Sequence, residues 1–244
     1  MTTSSEALLP SDVKERVIIA LDVDSAEAAK RIVDELSGDV GAFKIGLQLF
    51  TGCGPYLVRE LAEAGHKIFL DLKFHDIPNT VARASSEAAR LGVWMLNVHA
   101  SGGGEMMRAA ADAVAEYSEA GGIQKPLVIA VTVLTSAEHQ TLIEIGVNSP
   151  PVDQVQRLAR LAYESGMDGV VASAREVNAV RGAVGEKGFL VVTPGIRPII
   201  ATGDDQKRVT TLRQAFAAGS NYVVVGRPVT GAADRKAALE QLFA

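Results

Sequence analysis

Short apolar runs alternate with longer amphipathic stretches along most of the chain. Seven runs rich in Val, Ile and Leu are typical of buried parallel strands: 17–21, 67–70, 93–96, 127–131, 169–171, 189–192 and 222–225. A weaker eighth run covers residues 41–45. Between the runs, apolar residues recur at helical spacing in Ala-, Glu- and Arg-rich stretches: 25–36, 56–64, 81–91, 105–117, 152–164 and 232–243. The chain therefore alternates strand and helix.

This alternation decides the predicted fold class. Eight strands with intervening helices in a chain of 244 residues match a (β/α)8 TIM barrel better than an open doubly wound sheet, which usually has fewer strands. No linker-like break interrupts the pattern. We expect an N-terminal extension at residues 1–15 and a single α/β barrel domain at residues 16–244.

In a TIM barrel the chemistry lies at the carboxyl ends of the strands and in the loops that follow them. Polar residues follow almost every apolar run of this chain. They are Asp22, Lys44, Asp71, Lys73, Asn97, His99, Thr132, Thr135, Ser173, Arg197 and the pair Gly226-Arg227. We expect these residues to face one mouth of the barrel.

The segment DLKFHDIPNT, residues 71–80, concentrates charge at the end of the third run. Side chains two apart on a strand point the same way, so Asp71 and Lys73 share a face, and Lys44 reaches them from the neighbouring strand. A structural ion pair at the barrel rim is the simpler interpretation of an isolated D-x-K pattern. Several charges placed together are costly to bury, however, and a fold that needs only stability gains more from apolar residues. The cluster therefore indicates a functional site.

Composition and charge narrow the classes of function. Hydrophobic residues make up 48% and charged residues 22%, which is ordinary for a globular protein. The formal net charge of −5 argues against a binder of nucleic acid or of membrane surfaces. The single cysteine, Cys53, cannot form an internal disulfide, and residues 1–16 contain no apolar secretory segment. We expect a cytoplasmic protein.

Several segments together resemble the orotidine 5′-phosphate decarboxylase family. They are VIIALDVD, FKIGLQLF, DLKFHDIPNTV, WMLNVHASGG, VTVLTS, TPGIRP with the following GDDQKR, and YVVVGRPVT. The similarity extends from Val17 to the last predicted helix. A D-x-K-x-x-D core alone indicates only a wider superfamily, which includes Mg²⁺-dependent sugar-phosphate enzymes. The continuation Ile77-Pro78-Asn79-Thr80 is similar to the orotidylate branch.

The resemblance implies an enzyme that converts orotidine 5′-phosphate to UMP and CO₂, the last step of de novo pyrimidine synthesis. Family members use no cofactor and no metal, and this sequence contains no Rossmann fingerprint or P-loop. The resemblance also implies an alternating charge network of Lys44, Asp71, Lys73 and Asp76. In it Lys73 stabilises the developing carbanion and donates its proton, and Asp71 lies close to the departing carboxylate.

The same resemblance implies the residues that hold the substrate. Asp22 and Lys44 would contact the ribose, and Thr135 would lie in the region that reads the pyrimidine edge. The long segment 195–208, which contains Arg197 and Gln206, is typical of a lid, and Gly226 and Arg227 after the eighth strand fit a phosphate. Asp76 and Thr80 would complete the site of a second subunit in a homodimer.

Two alternatives stay open from the sequence. One is a Mg²⁺-dependent sugar-phosphate lyase or epimerase of related barrel type. The other is a catalytically silent nucleotide-binding module, which the intact set of Asp71, Lys73 and Asp76 disfavours. Turnover of orotidylate without added metal separates both alternatives from the decarboxylase.

Overall fold

A computed structural model describes residues 9–185, 188–197 and 210–244 of the chain. Within these ranges the strands are β1 (Val17–Ala20), β2 (Ala42–Gly46), β3 (Ile68–Phe74), β4 (Met95–His99), β5 (Leu127–Val131), β6 (Gly169–Val171), β7 (Leu190–Thr193) and β8 (Tyr222–Val225). Every strand is parallel to its neighbours, and β8 pairs with β1 to close the barrel. The predicted α/β fold class, a single (β/α)8 barrel, is confirmed.

Helices connect the strands on the outside of the barrel. The α-helices of the described ranges are α1 (Ala26–Leu36), α2 (Leu47–Cys53), α3 (Pro55–Glu63), α4 (Pro78–Arg90), α5 (Gly104–Gly121), α6 (His139–Glu144), α7 (Pro151–Glu164), α8 (Val177–Val184), α9 (Leu212–Ala217), α10 (Arg227–Thr230) and α11 (Arg235–Phe243). Short 3-10 helices lie at Val13–Arg16, Ala100–Gly102 and Ala174–Glu176. No helix in the described part of the chain has the length and apolar character needed to cross a membrane.

Helix α1 shows how local sequence produces these outer helices. Its N-cap, Ser25, accepts a hydrogen bond from the backbone N–H of Ala28, which satisfies one of the donors left free at the helix start. Its buried residues are Ala29, Ile32, Val33 and Leu36, spaced as one helical face. That face packs against the strands, so the amphipathic pattern fixes which side of the helix points to the core.

Side chains of the strands alternate between two apolar clusters. Outward-facing residues such as Val17 and Ile19 pack against the helices in the main core. Inward-facing residues fill the barrel interior: Ile18, Ala20, Ala42, Phe69, Met95, Ile129, Val192 and Val224. Because successive residues of a strand point to opposite faces, positions two residues further along also face inward. This alternation brings the next polar residues to the carboxyl-terminal mouth.

The predicted strands are all present. Strands β5, β6 and β8 have the predicted ends, and the ends of the other five are shifted. Strand β3 begins one residue later than predicted and continues to Phe74 through the charged segment. Strand β4 begins at Met95 and extends to His99. The observed helices include five short ones that the periodicity did not predict: α2, α6, α8, α9 and α10.

Candidate active site

Charged and polar side chains meet at the carboxyl-terminal mouth of the barrel. Three of them lie two positions beyond an interior apolar residue of the same strand: Lys44 after Ala42, Asp71 after Phe69, and Asn97 after Met95. The strands β2, β3 and β4 that carry them are consecutive neighbours. The inward alternation therefore continues from the apolar interior directly into the polar mouth.

The charged side chains form a continuous series of ion pairs. Nζ of Lys44 lies 3.2 Å from Oδ1 of Asp22 and 3.2 Å from Oδ2 of Asp71. Nζ of Lys73 lies 2.6 Å from Oδ1 of Asp71. Asp71 thus has one lysine on each carboxylate oxygen. The structure brings the predicted site residues Lys44, Asp71 and Lys73 together with Asp22, and their catalytic roles stay a prediction.

Burial and nearby charges shift the pKa values of Lys44 and Asp71 in opposite directions. Burial alone would lower the pKa of Lys44, but the carboxylates of Asp71 and Asp22 outweigh it and hold that pKa above its ordinary value. Burial alone would raise the pKa of Asp71, but Lys44, Lys73 and a hydrogen bond from Asn97 hold that pKa below its ordinary value. Both groups therefore stay ionised at neutral pH.

The backbone of β3 is irregular where these charges lie. Lys73 has a φ of 54°, in the left-handed region, and no other residue besides glycine in the described part of the chain has positive φ. The pairing of β3 with β4 shifts between Leu70 and Phe74. A regular strand, as the sequence interpretation assumed, would place Asp71 and Lys73 on one face by alternation alone. Here a bulge directs the two side chains toward each other.

A cavity of about 160 Å³ opens beside the ion pairs. Lys44, Asp71 and Lys73 form its charged wall, and the other walls include Phe69 and Thr135. Most remaining lining residues are apolar: Val131, Val133, Leu134, Val171, Ala172, Pro194 and Val224. Size alone does not select this site, since a larger open groove of about 440 Å³ lies between α7 and α8 on the barrel exterior. The concentration of charged side chains in a mostly apolar cavity identifies this cavity as the candidate active site.

Asp76 and Thr80 lie apart from this network within the protomer. Asp76 is exposed and accepts a hydrogen bond of 2.6 Å from the backbone N–H of Ile77. Among the described residues it forms no ion pair with Lys44 or Lys73. Thr80 is exposed in the first turn of α4. Its contribution, and that of Asp76, to a neighbouring subunit's site stays a prediction.

The residues assigned to the phosphate occupy different environments. Arg197 is buried, and it donates a hydrogen bond of 3.1 Å to the backbone carbonyl of Ile196. Arg227 is exposed at the first position of α10. Gly226 precedes it, and a Cβ there would lie 3.8 Å from Oδ2 of Asp22. Gln206 and most of the predicted lid, residues 195–208, lie outside the described residues.

Comparison with known proteins identifies the family. A sequence profile of the orotidine 5′-phosphate decarboxylase / HUMPS family matches residues 15–242. The chain belongs to this family. The match covers every strand of the barrel and all the described residues of the mouth.

Individual members of the family are similar over almost their full length. The chain is 52% identical to orotidine 5′-phosphate decarboxylase of Syntrophotalea carbinolica, over 95% of this chain and 94% of that protein. It is also 52% identical to the enzyme of Saccharophagus degradans, over 94% of each. The crystal structure of the Lactobacillus acidophilus enzyme superposes with a TM-score of 0.81 at 41% identity, covering 93% of this chain and 96% of that one.

In residues 9–185, 188–197 and 210–244, no three His, Cys, Asp or Glu side chains are grouped so as to hold a metal ion. The acidic groups of the mouth, Asp22 and Asp71, face lysines instead.

His99, at the end of β4, is a further ionisable group at the mouth of the barrel. Its ring centroid lies 5.7 Å from that of His75. Burial lowers the pKa of His99, and the nearby charges of His75 and Lys73 lower it further, while Asp71 acts in the opposite direction. The neutral ring is therefore favoured in the folded protein.

We expect this His99 shift to make stability depend on pH near neutrality. The unfolded chain binds a proton near pH 6.5, above the pKa of the folded state, so the free energy of unfolding is fully retained above about pH 6.5 and falls as pH decreases below it. Denaturant unfolding at a series of pH values should show a smaller decrease in the His99→Gln variant than in the wild type. The exposed His139→Gln variant is the control. An equal decrease in His99→Gln and wild type would contradict the prediction.

Proposed function

We propose that this chain decarboxylates orotidine 5′-phosphate to UMP and CO₂ without a cofactor. The observation that carries the proposal is the pairing of one buried carboxylate, Asp71, with two lysines at the mouth of the barrel. Membership of the family and the curated relatives named orotidine 5′-phosphate decarboxylase support the same activity. These names do not favour the Mg²⁺-dependent alternative.

The proposed reaction breaks the bond between C6 of the pyrimidine and its carboxylate carbon. The electron pair stays on C6, CO₂ leaves, and the ammonium group of Lys73 donates a proton to C6. The vinyl carbanion has no adjacent electron sink, so fixed charges must stabilise the transition state. Lys73 supplies both the positive charge and the proton.

Asp71 and Lys44 keep this cation in place in the proposed mechanism. Asp71 contacts Nζ of Lys73, and Lys44 neutralises the other oxygen of the same carboxylate. Charges that are already oriented need little reorganisation during the reaction, and a mostly apolar cavity increases their effect. We place Asp71 close to the departing carboxylate.

The remaining assigned residues would bind the rest of the nucleotide. We assign Asp22 and Lys44 to the ribose, since the two are paired at the cavity edge, and Thr135 to the pyrimidine edge, since it lines the cavity. The assigned phosphate ligands are Arg197, Gln206, Gly226 and Arg227. Binding energy from the remote phosphate can then assist the chemical step.

A homodimer is the assembly that this proposal requires. Asp76 and Thr80 would reach the site of the partner subunit, which is consistent with their exposure and their separation from the ion pairs of their own protomer. We also infer that residues 1–15 are an extension of the barrel domain and that the protein acts in the cytoplasm.

A spectrophotometric assay tests the proposed function. Purified protein is incubated with orotidine 5′-phosphate, with and without EDTA, and both the loss of substrate absorbance and the formation of UMP are measured. We expect equal turnover in both conditions. Loss of activity on chelation, together with activity on ketopentose or hexulose phosphates, would favour the Mg²⁺-dependent alternative. Tight binding of UMP analogues without turnover would favour a silent binding module.

We expect the Arg227→Ala variant to lose affinity for the phosphate. A charged hydrogen bond contributes about 1.5–3 kcal/mol, so kcat/KM for orotidine 5′-phosphate should fall by about 10- to 100-fold. Binding of uridine, which has no phosphate, should stay unchanged when measured by calorimetry. The exposed Arg31→Ala variant in α1 is the control. The affinity for UMP, which carries the phosphate, is measured in the same way. If Arg227→Ala lost affinity for UMP and for uridine equally, a contact between Arg227 and the phosphate would be contradicted.

A further inference from the structure

The pairing of β3 with β4 leaves a gap at the catalytic charges. Leu70 pairs with Leu96, and the next regular pair is Phe74 with Val98. The three residues 71–73 of β3 therefore face a single residue, Asn97, of β4. In regular pairing one residue would face one residue, and backbone groups would satisfy one another. The bulge interrupts the regular ladder between β3 and β4 at these three residues.

The side chain of Asn97 bridges this gap. Its Oδ1 accepts a hydrogen bond of 2.8 Å from the backbone N–H of Lys73, and its Nδ2 donates one of 2.7 Å to Oδ1 of Asp71. Asn97 is fully buried. Its backbone belongs to the regular ladder with β5, where it pairs with Ile129. One amide therefore connects a rigid neighbouring strand to both residues of the Asp71–Lys73 ion pair.

These two contacts constrain different features of the pair. The bond to the backbone N–H supports Lys73 in its left-handed conformation, which costs a residue with a side chain about 1–3 kcal/mol and persists only when its surroundings hold it. The bond to Oδ1 fixes the rotation of the Asp71 carboxylate, because the same oxygen faces Nζ of Lys73. No other residue of the mouth contacts both Asp71 and the Lys73 backbone among the hydrogen bonds of the described residues.

We propose that Asn97 is a positioning residue of the active site, which sets both the backbone bulge at Lys73 and the orientation of the Asp71 carboxylate. Asn97 does not line the cavity and acts through its two neighbours. The loss of kcat that we expect on substitution of Asn97 rests on the proposed decarboxylase function. The structural consequence, the placement of Nζ of Lys73, is independent of the reaction.

The kinetic test compares Asn97→Ala with the wild type. A displacement of about 1 Å in a reacting group can cost about 100-fold in rate, so kcat should fall by about that factor. The dissociation constant of UMP should change by less than about threefold, because Asn97 is placed outside the cavity. A merely structural role would lower the free energy of unfolding without this loss of kcat in the folded fraction.

Asn221→Ala is a control for the loss of a partly buried side-chain amide contact, in which the same Oδ1 also accepts a hydrogen bond from Arg181. Asn221 lies next to the start of β8, and its Oδ1 accepts a hydrogen bond of 2.8 Å from the backbone N–H of Val191. This contact resembles the one between Asn97 and Lys73 but lies near the opposite end of the barrel. Asn221→Ala should lose stability and keep the kcat of the wild type.

Asn97→Asp tests the orientation of the Asp71 carboxylate separately. It preserves the side-chain volume, so it can replace Asn97→Ala if that variant does not fold. The new carboxylate can still accept from the backbone N–H of Lys73, but it repels Asp71 instead of donating to it. We expect kcat to fall by about 100-fold at pH 8 and to recover partly as pH decreases, since a protonated carboxyl group regains a donor. The wild type should show no such recovery.

Two outcomes would overturn the assignment. One is a kcat of Asn97→Ala within about threefold of the wild type, and the other is an equal loss of kcat in Asn221→Ala. Should the wild-type protein fail to turn over orotidine 5′-phosphate, the proposed function fails, and crystal structures of ligand-free wild type and Asn97→Ala decide the inference alone. Retention of both the positive φ of Lys73 and its contact with Asp71 in the variant would then refute it.

Discussion

Replacement of Lys73 by alanine is expected to abolish turnover of orotidine 5′-phosphate and to leave nucleotide binding largely intact. The variant loses the proposed proton donor, which contributes about 10²–10⁴-fold, and a charge aimed at the transition state, which contributes about 10²–10³-fold. We therefore expect kcat to fall by at least about 10⁴-fold, measured with enough enzyme to detect slow turnover. The dissociation constant of UMP, measured by calorimetry, should stay within about tenfold of the wild-type value.

Lys125→Ala is a matched control for Lys73→Ala. Lys125 also pairs with an aspartate, since its Nζ lies 3.1 Å from Oδ1 of Asp168. Lys125 precedes β5 and Asp168 precedes β6, so this pair lies at the amino-terminal ends of the strands, opposite the mouth. Such a partly exposed pair contributes about 0–1 kcal/mol to stability. The control should keep the activity of the wild type.

The Lys73→Ala variant should stay folded because Asp71 keeps one of its two cations. Lys44 still faces Oδ2 of Asp71, so the buried carboxylate is not left without a positive partner. Unfolding in denaturant checks this expectation. A folded variant that keeps even a few per cent of the wild-type kcat would exclude Lys73 as the proton donor.

Mixing two inactive variants is expected to restore activity if the site is shared between subunits. A dimer of one Lys73→Ala and one Asp76→Ala protomer contains one site with both substitutions and one site with neither. Random exchange makes about half of the dimers mixed, so about a quarter of the total sites should be active. The expected recovery is therefore about a quarter of the wild-type activity for the same amount of protein.

The design depends on proof of subunit exchange. Two affinity tags, one on each variant, allow mixed dimers to be isolated and counted. Mixing Lys73→Ala with Lys44→Ala is the control, because both residues belong to the ion-pair series of a single protomer and every mixed dimer then has one substitution in each site. No recovery in isolated Lys73→Ala and Asp76→Ala dimers would contradict the composite site.

The strands of the barrel could be predicted because their sequence signal is local. A buried parallel strand has apolar residues on both faces, so runs such as 127–131 and 222–225 are visible without knowledge of their neighbours. The ends of other strands depend on partners that the local pattern does not contain. Strand β3 continues through Asp71 and Lys73 because β4 and the Asn97 side chain satisfy its polar groups, and these partners are 24 or more residues away in sequence.

The short helices were missed because they have little periodicity to detect. Helix α2, with seven residues, and helix α10, with four, complete too few turns for an apolar stripe. Helix α9 has a sequence signal that was available, since its N-cap Thr211 and Gln214 form a capping box. Helix α10 follows β8 directly, and its position depends on the barrel that surrounds it.

The sequence alone determined the barrel class, the order of its elements and the residue types at its mouth, because alternating burial and helical periodicity are properties of neighbouring residues. The tertiary structure decided which of these residues meet. Closing the barrel placed Lys44 beside Asp71, and the shift between β3 and β4 turned Lys73 back onto the same carboxylate. It also gave Asn97 a role that its position after an apolar run did not indicate. Contacts between strands depend on register, and register depends on the packing of the whole barrel.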